Sequence, residues 1–180
     1  MDPQRHPSDP PNLQSGSLLL RPLLPAEAPG MAERIASDPE ASPWWGTKVE
    51  SITRWLTELP ASTFVIEHDG REAGVVIYEE EDDPDYRYAA LDITLLEGYT
   101  NRGIGSRALR MLIRWLAEHR GHHRFTIDPA ANNARGIRAY EKVGFKPVGV
   151  MRKCERGADG WHDNLLMDLL AEELTGDEAL

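Results

Sequence analysis

Residues 99–116, YTNRGIGSRALRMLIRWL, place Gly103 and Gly105 at the start of a strongly helical stretch. Each glycine inside a helix costs roughly 0.5–1 kcal/mol relative to alanine, so the pair needs a reason. Two readings fit. One is a tight strand-to-helix connection. The other is a backbone that closes on an anion at a helix N-terminus, where unpaired N–H groups and the helix dipole coincide. The dinucleotide fingerprint would need a third glycine in the turn and an acidic residue about 20 positions later. The phosphate loop would need Gly-Lys-Ser/Thr. Neither is present.

These residues must be positioned by the elements around them. The segment AALDITLL, residues 89–96, alternates Leu91, Ile93 and Leu95 with Ala90, Asp92 and Thr94, which predicts a strand with Asp92 on the face opposite the aliphatic residues. From Gly103 the period becomes helical, with Ile104, Ala108, Leu109, Leu112, Ile113 and Leu116 on one face as far as about Arg120. A short strand, HRFTID, ends at Asp128-Pro129, and a helix, NNARGIRAYEKV, ends at Gly144. On that helix Tyr140 reads by itself as a core tyrosine.

Upstream, SLLLRPL is a strand and PAEAPGMAERIASD a helix interrupted by Pro29 and Gly30. Residues 39–50 form a loop carrying Trp44 and Trp45, followed by a helix with Ser51 as its N-cap. STFVIEH and REAGVVIYEE make a hairpin around Asp69-Gly70. Two closing strands, residues 145–156 and 160–170, complete the chain. The order predicts an α/β fold: one mixed, mostly antiparallel sheet of about seven strands with about four helices and a central β-α-β unit. The domain is expected over residues 17–172, after a disordered Pro-rich tail (1–16) and before a C-terminal tail (173–180).

At 180 residues and 41% hydrophobic, the chain can bury one core. It has no long uncharged apolar run and no signal-peptide core, so a cytoplasmic protein without a membrane partner is expected. One cysteine, Cys154, excludes an internal disulfide, and no Cys/His set has zinc spacing, so no metal is expected. A net charge of -10 disfavours nucleic acid and suits a cationic substrate.

TNRGIGS followed by NARGIRAYEKVGF resembles the acetyl-CoA site of the GNAT N-acetyltransferase superfamily. The superfamily's loop is Gln/Arg-x-x-Gly-x-Gly/Ala; Gly103 and Gly105 take the glycine positions, while Thr100 stands where Gln or Arg is usual. The second pattern, Asn-x6-Tyr-x3-Gly-Phe, matches Asn133, Tyr140, Gly144 and Phe145. The resemblance implies that Thr100, Asn101, Arg102, Gly103, Ile104, Gly105 and Ser106 hold the acetyl-CoA pyrophosphate, with Asn133 near the pantetheine. Backbone groups of Leu95 and Leu96, on a strand bulged in the family, would meet the pantetheine and the oxyanion. Attack on a thioester needs a neutral amine, so it implies Asp92 as base and Tyr140 as the donor to the leaving thiolate.

DPAANNARGIRAYEKVGF, together with WWG at Trp44–Gly46, is similar to aminoglycoside 6'-N-acetyltransferases. That similarity implies a small cationic amine as acceptor and a role in antibiotic resistance. Asp92 and Asp128 would bind its amino groups, and one of Trp44 and Trp45 would line the cleft while the other is buried. Asp128 could equally cap the following helix. The acidic run Glu79–Asp85 reads either as a solvated loop or as a rim that attracts a polyamine, and His122, His123 and His162 as structural or exposed. Lysine, peptide N-terminal or siderophore-type acyl transfer shares the same motifs, and a non-catalytic acyl-CoA sensor is a further alternative. Family members often form homodimers, but no self-complementary surface is identifiable in the sequence.

Overall fold

The computed structural model describes residues 10–58, 62–157 and 159–174. Among them are eight strands in a single sheet, ordered β1-β2-β3-β4-β5-β6-β8-β7. β1 (Leu13–Ser15) and β2 (Leu18–Pro22) form a hairpin, so the sheet begins inside the segment read as tail and has one strand more than expected. Residues 1–9 and 175–180, parts of the two expected tails, lie outside the described residues. β3 (Thr63–His68) and β4 (Arg71–Glu81) turn at Asp69-Gly70, where φ is positive at both residues (52° and 72°). That is the turn a two-residue hairpin requires.

Five α-helices among the described residues flank the sheet. Pro25–Glu27 make a 3-10 turn that leads into α1 (Ala28–Ser37), so Pro29 falls in the first turn, where its missing N–H costs nothing. α2 (Ser42–Trp45) lies within the expected loop. α3 (Val49–Glu58) begins before Ser51, whose N–H already bonds the Lys48 carbonyl, so Ser51 is not the cap. α4 (Ile104–Trp115) and α5 (Ala134–Val143) lie where the helical periodicity puts them.

The two faces of the sheet bury different helices. Phe64, Ile66, Val76 and Leu91 pack with α4 and α5, whereas Val65, Val75 and Ile77 pack with α1 and α3. The alternation of β3 and β4 feeds both cores, which is why β4 is buried through six consecutive residues, Ala73–Tyr78.

β5 (Tyr88–Leu95) runs antiparallel to β4 and parallel to β6 (Arg124–Ile127). The parallel register has only two rungs, Ala89–Phe125 and Ala90–Thr126. β8 (Gly160–Leu170) covers the other side of β6, and β7 (Lys146–Gly157) is the edge.

A bulge lies in β4 rather than in β5. Ile66 pairs with Gly74 and Glu67 with Glu72, leaving Ala73 as the extra residue, while β4 and β5 stay in register from Gly74–Leu95 to Glu81–Tyr88. Gly74 has φ +155°, and a Cβ there would lie 2.1 Å from the Thr94 carbonyl oxygen. Gly74→Ala therefore forces backbone to move and should lower the melting temperature by more than about 10 °C or abolish soluble expression. Gly30→Ala, in α1 with open space around it, should leave the melting temperature unchanged or raise it by a few degrees in the same scan.

Candidate active site

Beyond their two rungs β5 and β6 separate, and the gap opens into a cavity of about 370 Å³, within the range of small-ligand sites. The 36-residue offset that pairs Ala89 with Phe125 also relates Asp92 to Asp128, so both aspartates stand just past the last rung, one on each wall. Asp92 to Leu95 line one side; Asp128 to Ala130, the α5 cap Asn133 and one face of α5 that includes Tyr140 line the other.

The glycine loop closes one end. Gly98, Asn101 and Gly103 all have positive φ (83°, 57° and 75°), and Gly103, in the left-handed conformation, is the α4 N-cap without a side-chain hydrogen bond. Gly105 faces Leu95: a Cβ there would sit 3.4 Å from its Cδ1, so the two glycines serve different needs, one conformational and one steric. Thr100, Asn101, Gly103, Gly105 and Ser106 line the cavity, and the Ser106 hydroxyl also donates to the Ala139 carbonyl of α5 at 3.4 Å.

Three of the expected binding residues turn their side chains away from the cavity. Ile104 is a core side chain. Arg102 folds back to donate to the Gly98 carbonyl at 3.1 Å, over the Tyr99 ring. Leu96 is buried against α1 and α3, and its N–H is held by the Ala73 carbonyl of the β4 bulge at 2.9 Å, so that amide is taken; Leu95 does line the cavity.

Asn133 caps α5, its Oδ1 accepting the Gly136 N–H at 2.9 Å. A Cβ on Gly136 would be 2.8 Å from the Asn133 side chain, so this glycine is what lets the cap close. Asp128 therefore does not cap α5. Its Oδ2 instead accepts from Asn164 Nδ2 (3.1 Å), which also donates to Glu155 Oε2 (3.1 Å).

Asp92, Asp128 and Glu155 gather around one part of the cavity, where Arg135 also acts on the neighbouring Tyr140, and Arg138 and Lys142 continue the basic face of α5 along the lining. Desolvation pushes the Asp92 carboxyl up to about 7; its bond from the Ile93 N–H (2.7 Å) opposes this, and the charges of Asp128 and Glu155 add to it. Burial likewise raises the Tyr140 phenol, helped by Asp92 and Asp128 and opposed by Arg135. Tyr140 is locked edge-on against Phe145. A carboxylate titrating near neutrality can take a proton from an ammonium at pH 7 and above. A phenol held above its usual range can donate a hydrogen bond to a thiolate, whose conjugate thiol lies near about 8.5, more readily than it can transfer its proton.

Both Trp44 and Trp45 line the cavity and neither is fully buried, contrary to the expected split. The reason is α2: on a helical turn neighbouring side chains diverge by about 100°, not the 180° of a strand. Trp45 packs on Trp55 of α3, with centroids 4.7 Å apart, and Trp55 joins the wall.

The acidic run Glu79–Asp85 forms no rim: none of it lines the cavity. Glu80 holds Arg120 and the buried His122 (2.7 Å) at the far end of β5. Burial alone would raise Glu80, but those two donors keep it below its ordinary value.

Sequence reasoning missed Glu40, Trp55, Glu155 and the basic face of α5. Arg135, Arg138 and Lys142 were findable as a helical stripe. Glu155 had no local signal. Arg152, Lys153 and Cys154 stand opposite the single residue Asp163 between the Met151–Asn164 and Glu155–His162 pairs, and this irregularity re-aims the strand.

Residues 17–146 match the family model of the acetyltransferase (GNAT) domain. Over 75 residues the chain is 33% identical to a kanamycin resistance protein of Rhizobium radiobacter, covering 41% of this chain and 68% of that one. The same identity over 75 residues relates it to an aminoglycoside N(6')-acetyltransferase type 1 of Klebsiella pneumoniae, of which the match spans only 36%. Mycobacterium smegmatis RimJ in complex with CoA-disulfide shares the fold at a TM-score of 0.79, with 24% identity over 96% of this chain and 93% of that one. A GNAT acetyltransferase of Bacillus anthracis gives 0.76, with 16% identity over 91% of this chain and all of that one. With the glycine loop, the α5 cap and Tyr140 on one cavity, these matches establish that the chain belongs to the GNAT family and is an acetyl-CoA-dependent N-acetyltransferase.

Proposed function

We propose that the acceptor is a small polycationic amine, with the 6'-amine of an aminoglycoside as the leading case. The observation that carries this reading is the convergence of three carboxylates, Asp92, Asp128 and Glu155, on one cavity. A single ammonium needs one carboxylate. Three, two of them bridged by Asn164, suit a substrate with more than one positive charge.

The residues present fit acetyl-CoA. A helix N-terminus without a side-chain cap, preceded by residues of positive φ, offers N–H groups to a pyrophosphate, and Arg138 and Lys142 add positive charge along the same wall. Thr100, Asn101, Gly103, Gly105 and Ser106 would hold the phosphates, and Asn133 would meet the pantetheine. The thioester supplies the activated acyl group. Asp92 would bind the acceptor ammonium and take one proton to free the amine lone pair, after which attack would form the N–C bond and break the C–S bond, the sulfur leaving as thiolate. Trp44 and Trp45 orient the acceptor, Asp128 and Glu155 hold its second charge, and the Tyr140 hydroxyl donates to the sulfur. The backbone at Leu95, on the cavity lining, would face the acyl oxygen.

A second reading is acetylation of a protein N-terminus, the activity named for a solved structure of the same fold, a ribosomal L7/L12 alpha-N-protein acetyltransferase (TM-score 0.73, 17% identity), and the same assay separates the two. Thiol release from acetyl-CoA should occur with an aminoglycoside that has a 6'-amine and not with its 6'-hydroxyl counterpart. Release with a peptide N-terminus and with neither drug would replace the proposal.

Gly105→Val should weaken acetyl-CoA binding at least tenfold by calorimetry, because the position already meets Leu95 at contact distance. Asp92 acts deprotonated, so kcat/KM should rise with pH through an acid limb near 7. Asp128→Asn or Glu155→Gln removes a neighbouring negative charge and should move that limb to lower pH.

The same shift carries a stability consequence. The folded-state carboxyl lies above its unfolded value of 3.8, so the native state holds the extra proton and Asp92 erodes stability as pH rises from about 4 to 7. Asp92→Asn should therefore raise the melting temperature at pH 8 by roughly 3–8 °C, with little effect at pH 4, while lowering turnover at least 100-fold.

A further inference from the structure

Glu40 and Arg135 both line the cavity, yet they come from opposite walls: Glu40 from the α1–α2 connection, Arg135 from the first turn of α5. Their side chains form an ion pair 95 residues apart in sequence, joining the tryptophan-bearing wall to the α5 wall. Both ends are fixed. Asp38 Oδ1 accepts the N–H groups of Glu40 (2.8 Å) and Ala41 (3.0 Å), and its Oδ2 accepts the Glu97 N–H (2.8 Å). The helix carrying Arg135 is capped by Asn133. About a third of each side chain remains exposed (36% for Arg135, 34% for Glu40), so the pair stands at the boundary between cavity and solvent.

Breaking such a pair leaves two charges without partners in a partly desolvated site, which is costly for any entering molecule that brings no charge of its own. An entering ammonium avoids that cost by taking the guanidinium's place on Glu40. The displaced Arg135 then stays beside a wall it shares with Arg138 and can reach solvent.

We propose that Glu40 and Arg135 determine acceptor specificity as a cation-exchange gate, in which the acceptor's ammonium replaces Arg135 on Glu40 as it enters. This rests on the acceptor side assigned above. It makes Glu40 a binding group and Arg135 its built-in competitor, so the two neutral variants move acceptor binding in opposite directions. A pair that merely braces the walls gives changes of the same sign.

Arg135→Gln and Glu40→Gln, both near-isosteric, are compared with the parent, with circular dichroism as the check on folding. For an acceptor diamine, Arg135→Gln should lower KM about 3–10-fold, and Glu40→Gln should raise it by a similar factor, with kcat changing less than KM. A second readout needs no turnover. In a Trp161→Phe background, which removes an exposed tryptophan outside the cavity, cesium ion quenches the tryptophans that line it. Arg135→Gln should increase that quenching and Glu40→Gln should decrease it. Shifts of the same sign in both variants, or none, overturn the gate. If no amine is acetylated while the quenching moves in opposite directions, the gate stands and the acceptor assignment fails.

Discussion

The short parallel contact between β5 and β6 is the constraint on which the rest of the site depends. Two rungs hold the strands together at Ala89 and Ala90, and the strands then part. Had the ladder continued, Asp92 and Asp128 would sit inside a closed sheet facing each other across one hydrogen-bonded step. Because it stops, both carboxylates border a cavity. The separation is sustained from both sides: α4 fills one face with aliphatic residues, the tryptophan-bearing segment covers the other, and β8 ties the loop after β6 outward through the Leu165 N–H to the Pro129 carbonyl.

That opening sets the electrostatics. A carboxylate on a fully solvated strand would titrate near 4; at the bottom of the cleft Asp92 is drawn up to about 7 by desolvation and by two neighbouring acids. The fold thereby holds a carboxylate poised to titrate at neutral pH, at some expense in stability. The same cleft brings Arg135, Arg138 and Lys142 of α5 onto the cavity that the acids line.

Backbone geometry does as much here as side chains. Gly74 in the β4 bulge lets that strand approach Thr94 and Leu95, and the bulge carbonyl at Ala73 fixes Leu96. Gly103 and Gly105 shape the loop at the opposite side of the same strand end. The segment 94–105 is therefore set from two directions by residues that contribute no side chain, and this is how the bulge expected in β5 came to lie in its neighbour.

The sequence by itself determined the period of each long element, the Asp-Gly hairpin, the Gly-x-Gly helix start and the Asn133–Tyr140 spacing, because each depends on contacts within a few residues. It therefore sufficed for the fold class and for the family. Short elements escaped it: β1 and α2 have too few residues to show a period, and α2 decided that both tryptophans face the cleft. Only the tertiary structure brought Glu40 to Arg135, and Glu155 to Asp92 and Asp128. It also consigned Glu79–Asp85 to a structural network with Arg120 and His122, since charge composition does not say which way a strand end faces. Those pairings join residues tens of positions apart, and their energies depend on burial, a property of the assembled sheet and helices that no local stretch of chain contains.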